Sequence, residues 1–111
     1  MSEPNLSDAE IERLAVLIEE ASEVVQCATK ILRHGYESFN PDDVEAGDNR
    51  GQLCREIGDV QYAVELMHEA GDVDRSEIAY GLRAAAVDKP KYLHHQQGAD
   101  LNAVRLKAES Q

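Results

Sequence analysis

Two short strings gather carboxylates at helical spacing: Glu19, Glu20 and Glu23 in EEASE, and Glu56 and Asp59 in EIGD. Residues three apart share a helix face, so Glu20 pairs with Glu23 and Glu56 with Asp59. On a helical wheel Glu56 falls beside Met67 and Glu20 beside Ile31, at the edges of apolar stripes. A carboxylate at a core margin is costly unless it is paired or bound to a cation. If the two helices pack antiparallel, four carboxyl groups converge and repel, and some stay protonated unless a cation joins them. Mg²⁺, with Mn²⁺ as a substitute, suits an all-oxygen set and keeps positions for water and phosphate oxygens.

The elements that must position these acids read as helices throughout. Ser7 with Glu10 is a capping-box signature. From there Ile11, Leu14, Leu17, Ile18, Ala21, Val24, Val25, Ala28 and Leu32 fall on one broad arc, which predicts a helix over 7–34 stopped by Gly35. Residues 35–48, with Pro41, two glycines and five acids, predict a long loop that covers or borders the site. Asn49 with Gln52 suggests the start of a second helix over 50–70, and Asp74 with Glu77 a third to about Val87. Beyond Pro90 a fourth, weaker segment is expected over 91–108, with Tyr92, Leu93, Leu101 and Val104 as its apolar set. The expectation is an all-α chain, one domain over 1–111. It should form a bundle of about four helices completed by oligomerisation, because the first arc is wide and the fourth segment has few large residues.

Charge narrows the partners. The chain has 111 residues, 22 acidic against 11 basic, for a net charge of −11. Such a chain is repelled by nucleic acid polymers and by anionic membrane, and no Lys/Arg cluster offsets that. The acidic N-terminus lacks an apolar signal segment, and no apolar run is long enough to span a membrane, so a cytoplasmic location is expected. Cys27 and Cys54 fit no zinc spacing and read as small packing residues. His94 and His95, taken as neighbours on a helix, would point too far apart to share one ion.

The joint pattern EE-x-x-E followed by E-x-x-D resembles the all-α nucleoside triphosphate pyrophosphohydrolases of the MazG-like group, nearest the short single-domain forms of phages and bacteria. Over residues 10–95 the strings RHGYESFNP, NRGQLCREIGDV and KPKYLHHQ resemble the same family. The resemblance implies hydrolysis of an NTP or dNTP between the α and β phosphates, giving a monophosphate and pyrophosphate, for nucleotide-pool control. Some short phage relatives act on purine deoxynucleotides such as dGTP, which would place the chain in a host cytoplasm. It implies Glu20, Glu23, Glu56 and Asp59 as metal ligands and Glu19 as a supporting or water-orienting base. It also implies assembly as a homodimer or homotetramer. Lys30 and His34 share the face of Glu23 and could reach phosphate; Lys89 and Lys91 match the family's basic C-terminal segment. The spacing between Glu23 and Glu56 is long for the family, and Ala63 stands where some relatives carry an aromatic, so base specificity is left open.

Two other readings compete. An acidic helical interaction module would carry the same acids as solvated surface, without catalysis. A di-iron carboxylate bundle would need Glu-x-x-His pairs, and only Glu65 with His68 has that spacing. Arg50, in the first turn of the second helix, needs an acidic partner there, and Asp48 is the nearest.

Overall fold

The capping box at Ser7 is made in full: Glu10 N–H donates to Ser7 Oγ (3.1 Å), and Ser7 N–H to Glu10 Oε1 (2.8 Å). It opens α1 (Asp8–His34), the longest element in a computed structural model that describes residues 5–110. Gly35 ends the helix at φ +87°, a backbone conformation open to glycine at little cost, and its N–H returns to the Ile31 carbonyl. The second helix, α2 (Asn49–Ala70), starts one residue earlier than the Asn49–Gln52 signal suggests. Asp48 is the N-cap, accepting from Gly51 N–H at 2.9 Å. Asn49 is instead buried and donates through Nδ2 to the Gly35 carbonyl, so its amide closes the loop rather than capping the helix.

Among the described residues the architecture is all helical, with four helices and no strand. The third, α3 (Arg75–Asp88), is capped by Asp74, which accepts from Ser76 N–H. The expected fourth segment is corrected most. Residues Lys89–Tyr92 form a 3₁₀ turn around Pro90, and α4 begins only at Leu101 and runs to Glu109. Asp100 caps it by accepting from Ala103 N–H at 2.9 Å. The stretch LHHQQGAD between them has no apolar period to support a helix, so His94 and His95 sit in irregular chain and the helical-angle argument against a shared ion does not apply to them.

Contacts group the chain into two compact units, Met1–Asp72 and Val73–Gln111. The first is an antiparallel hairpin of α1 and α2. Its loop end is tied by Lys30 Nζ to Gln52 Oε1 (3.3 Å) and Cys27 Sγ to the Asn49 carbonyl (3.8 Å). Its open end is closed by a two-pronged Arg13–Asp72 ion pair, with Nε–Oδ2 at 2.5 Å and Nη2–Oδ1 at 2.9 Å. That guanidinium holds the Asp72 carboxyl below the usual aspartate range. Among the described residues of the hairpin, Cys27, Asn49, Ala63 and Met67 are buried. Cys54, expected as a packing residue, is exposed. In the second unit α3, the 3₁₀ turn and α4 enclose a groove of about 210 Å³ lined by Leu82, Leu93, Leu101, Val104 and the buried Ala108.

The outer face of α1 stays bare. Ile11, Ile18, Val25 and Leu32 recur every seven residues and are all exposed, Leu32 to 88%. Cys27, which faces α2, lies about 200° round the helix from Val25 at ~100° per residue, so this stripe points away from α2. No helix among the described residues is long and apolar enough to cross a membrane.

Candidate metal centre

The hairpin brings the two acid pairs face to face. One carboxylate oxygen from each of Glu20, Glu23, Glu56 and Asp59 lies within 4.8 Å of the other three. The reason is register. The α2 row of Gln52, Glu56, Asp59 and Ala63 runs antiparallel to the α1 row of Lys30, Cys27, Glu23 and Glu20, and the Lys30–Gln52 bond joins the two rows at their loop end. The acids therefore occupy the middle of an interhelical seam, where a bundle usually places apolar side chains. Asp59 is exposed while Glu20, Glu23 and Glu56 are half-buried, so the group opens to solvent on one side.

The electrostatics show the strain. Burial, followed by the charges of Asp59 and Glu19, pushes the Glu20 carboxyl above the ordinary glutamate range; a hydrogen bond with Glu23 works against it. Glu56 is raised chiefly by its hydrogen bond with Glu23, which favours the protonated form, then by burial and by the charges of Glu23 and Asp59. Glu20 Oε2 and Glu56 Oε2 are buried without a hydrogen-bond partner. An unpartnered buried carboxylate oxygen asks for a donor or a cation. Four carboxylate oxygens at this separation, contributed by residues of which two carry such an orphaned oxygen, and with no nitrogen or sulfur among them, fit a hard divalent ion, Mg²⁺ or Mn²⁺.

The other expected site residues are distributed around this centre. Glu19 is exposed and outside the four-oxygen group, yet its charge reaches Glu20. Lys30 extends the α1 row toward the loop. His34 is exposed in the last turn of α1, where a basic residue complements the helix dipole. Lys89 and Lys91 belong to the second unit; Lys89 borders its apolar groove, and Lys91 pairs with Asp88 at 3.2 Å. Arg50 is partnered by Glu37 at 3.7 Å and lies over the Tyr36 ring, 4.4 Å from its centre, while Asp48 is occupied as a cap. No histidine joins the four carboxylates, so the Glu-x-x-His donor set of a di-iron centre is not assembled at this place.

Sequence reasoning missed a cavity of about 460 Å³ at the loop end of the hairpin, between Lys30, the 35–48 loop, Gln52 and Arg55. Its wall is held by Asn49 N–H to the Ser38 carbonyl (2.9 Å), Arg50 N–H to the Tyr36 carbonyl (2.8 Å) and Arg55 Nη2 to the Ala46 carbonyl (2.7 Å). Gln52, one turn before Glu56 on the same face, was the available signal. Comparison with known proteins adds nothing further: no protein-family model, curated protein or solved structure matches the chain.

Proposed function

We propose that this chain is a divalent-metal-dependent nucleoside triphosphate pyrophosphohydrolase of the MazG-like, all-α kind. The observation that carries the proposal is the pair of orphaned, buried oxygens, Glu20 Oε2 and Glu56 Oε2, inside a cluster of four carboxylates. Solvated surface acids, as an interaction module would have, are not held with buried unpartnered oxygens. Glu20, Glu23, Glu56 and Asp59 hold the metal. A bound Mg²⁺ supplies neutralisation of phosphate charge and a water of lowered pKa. Glu19, exposed beside Glu20, orients the attacking water and accepts its proton. Water splits the bond between the α and β phosphates, and the products are a nucleoside monophosphate and pyrophosphate.

Self-association belongs to the same reading. The bare stripe Ile11, Ile18, Val25 and Leu32 has the seven-residue repeat of a helix that packs on another helix. Glu12 and Glu19 flank its N-terminal half, Gln26 and Arg33 its C-terminal half. An antiparallel pair of α1 helices from two copies therefore sets Glu12 beside Arg33 and Glu19 beside the neutral Gln26.

The test is a panel of dNTPs and NTPs with Mg²⁺, scored for pyrophosphate against orthophosphate. Pyrophosphate release that needs the metal is the expected result. Metal-dependent release from no nucleotide overturns the hydrolase reading in favour of a non-catalytic acidic module. Sedimentation of Ile18→Asp with Val25→Asp checks the assembly: a shift to monomer is expected, and an unchanged oligomer removes the α1 stripe as its interface.

A further inference from the structure

The cavity at the loop end carries an electrostatic oddity. In a chain with twice as many acids as bases, Lys30 and Arg55 both line it, and neither forms an ion pair among the described residues. Arg55 spends one nitrogen on the Ala46 carbonyl, and Lys30 donates to Gln52. Both keep further N–H donors. Asp43 is the single acid in the lining, and Ser38, Asn40 and Gln52 bring neutral hydrogen-bonding groups. Two unpaired cations beside neutral donors in one walled cavity describe a seat for an anion.

Its place relative to the carboxylates identifies which anion. Lys30 follows Glu23 by seven residues on one α1 row, about 10 Å along the axis, and Gln52 precedes Glu56 by four, about 6 Å. Arg55 is the immediate neighbour of Glu56. A polyphosphate whose reacting bond lies over the carboxylates can extend its outer phosphates along the seam and into the cavity. Those phosphates carry the charge that four carboxylates repel most, and the cavity holds the cations that offset it. We infer that the cavity between Lys30, Arg55 and the 35–48 loop seats the outer, pyrophosphate end of the substrate and leaves the nucleoside outside it. The inference rests on the hydrolase reading for the identity of the anion, and on the cavity itself for the presence of an anion site.

The experiment is calorimetric titration of inorganic pyrophosphate, with Mn²⁺ affinity measured separately on each protein. The double variant Lys30→Gln with Arg55→Gln is expected to bind pyrophosphate at least tenfold more weakly and Mn²⁺ within twofold of wild type. Because Arg55 also ties the loop, Lys30→Gln alone is the second arm, with a loss of about threefold; Lys30 is exposed, and an unchanged melting temperature is expected to show that losing its bond to Gln52 leaves the hairpin intact. A nucleoside without phosphates is expected to leave the pyrophosphate titration unchanged. Wild-type pyrophosphate affinity in both variants, or displacement of pyrophosphate by the nucleoside, overturns the inference. The two readings fail separately. Charge-dependent pyrophosphate binding without turnover of any nucleotide removes the hydrolase and keeps the anion seat. Turnover with unchanged KM in the double variant removes the seat and keeps the hydrolase.

Discussion

The two units of the chain solve the burial problem in opposite ways. In Val73–Gln111, aliphatic side chains of α3, the 3₁₀ turn and α4 line an open groove, with Ala108 buried at its floor and Leu82, Leu93 and Val104 still about half exposed, and the caps keep polar groups at the helix ends. The lining of that groove is apolar and holds no carboxylate, as contact between hydrophobic side chains favours. In Met1–Asp72, the corresponding seam between α1 and α2 is given over to Glu20, Glu23, Glu56 and Asp59, with Asn49 buried beyond them. A sequence selected only for stability would put Leu or Ala at those seam positions. That departure from local physics, at the centre of an otherwise well-capped hairpin, is what the proposed function rests on.

The sharpest way to break this contrast is to neutralise the seam. Glu56→Gln keeps size and hydrogen bonding and removes one charge. We expect Mn²⁺ affinity and pyrophosphate release to fall about 100-fold or more, since even groups supporting a metal ligand cost 10–100-fold when lost. The same change should raise the melting temperature of the metal-free protein, because it relieves repulsion among the remaining acids. Glu109→Gln, which removes the exposed Arg105–Glu109 pair of α4, should leave Mn²⁺ affinity within twofold. Loss of affinity with no gain in metal-free stability would mean that the seam is not under electrostatic strain.

In the second unit the vulnerable element is the apolar groove. Ala108→Asp places a carboxylate at a position only 2% exposed and should cost at least ~2 kcal/mol, read as a lowered denaturation midpoint. Ala108→Ser, with a hydroxyl able to bond its own helix, should cost less. Equal tolerance of Asp and Ser would show that α4 does not pack as described.

Within the first unit, acidity separates the carboxylate seam from the Arg13–Asp72 pair at its open end. Glu20 and Glu56 are raised in the folded state, so their contribution to metal-free stability is present below the ordinary glutamate range and is lost as pH rises through their folded values. Asp72, lowered by Arg13, contributes above the ordinary aspartate range, and that contribution is lost as pH falls through its folded value. Metal-free protein should therefore melt higher in weak acid than at pH 8, with a decline only in stronger acid. Mn²⁺ competes with the same protons, so its affinity should run the other way and tighten from pH 5 to pH 8. Affinity that is flat over that range would exclude the raised carboxyls as ligands.

How far these features were legible depends on whether they are local. The four acids could be read because i,i+3 spacing and an antiparallel turn suffice to bring them together. Ser7 and Glu10 identified the start of α1 because a capping box lies within four residues. Asn49 misled because its amide is taken by the Gly35 carbonyl, 14 residues away, which freed Asp48 to cap α2. The cavity was out of reach for the same reason: its wall depends on bonds such as Arg55 to the Ala46 carbonyl and Arg50 to the Tyr36 carbonyl, which no spacing encodes. The sequence pattern overextends the fourth helix because Tyr92 and Leu93 fall in with Leu101 and Val104 as one apolar set, although the Asp100 cap separates them.

The smallest expected effect tests whether α1 holds the seam by its ends as well as by its faces. Ser7 satisfies one orphan N–H of the first turn and Glu10 satisfies the N–H of Ser7 in return. Ser7→Ala should cost about 1 kcal/mol, a few degrees in melting temperature, while Ser7→Asp should recover most of it because aspartate caps equally well. The carboxylates begin at Glu19, three turns beyond this cap, so fraying of the first turn stops short of them. Mn²⁺ affinity of Ser7→Ala should accordingly stay within twofold of wild type even as stability falls. A drop in metal affinity that tracks the loss of the cap would show instead that the helix start and the carboxylate seam form one cooperative element, and that the strain at Glu20 and Glu56 is held in place by the whole length of α1.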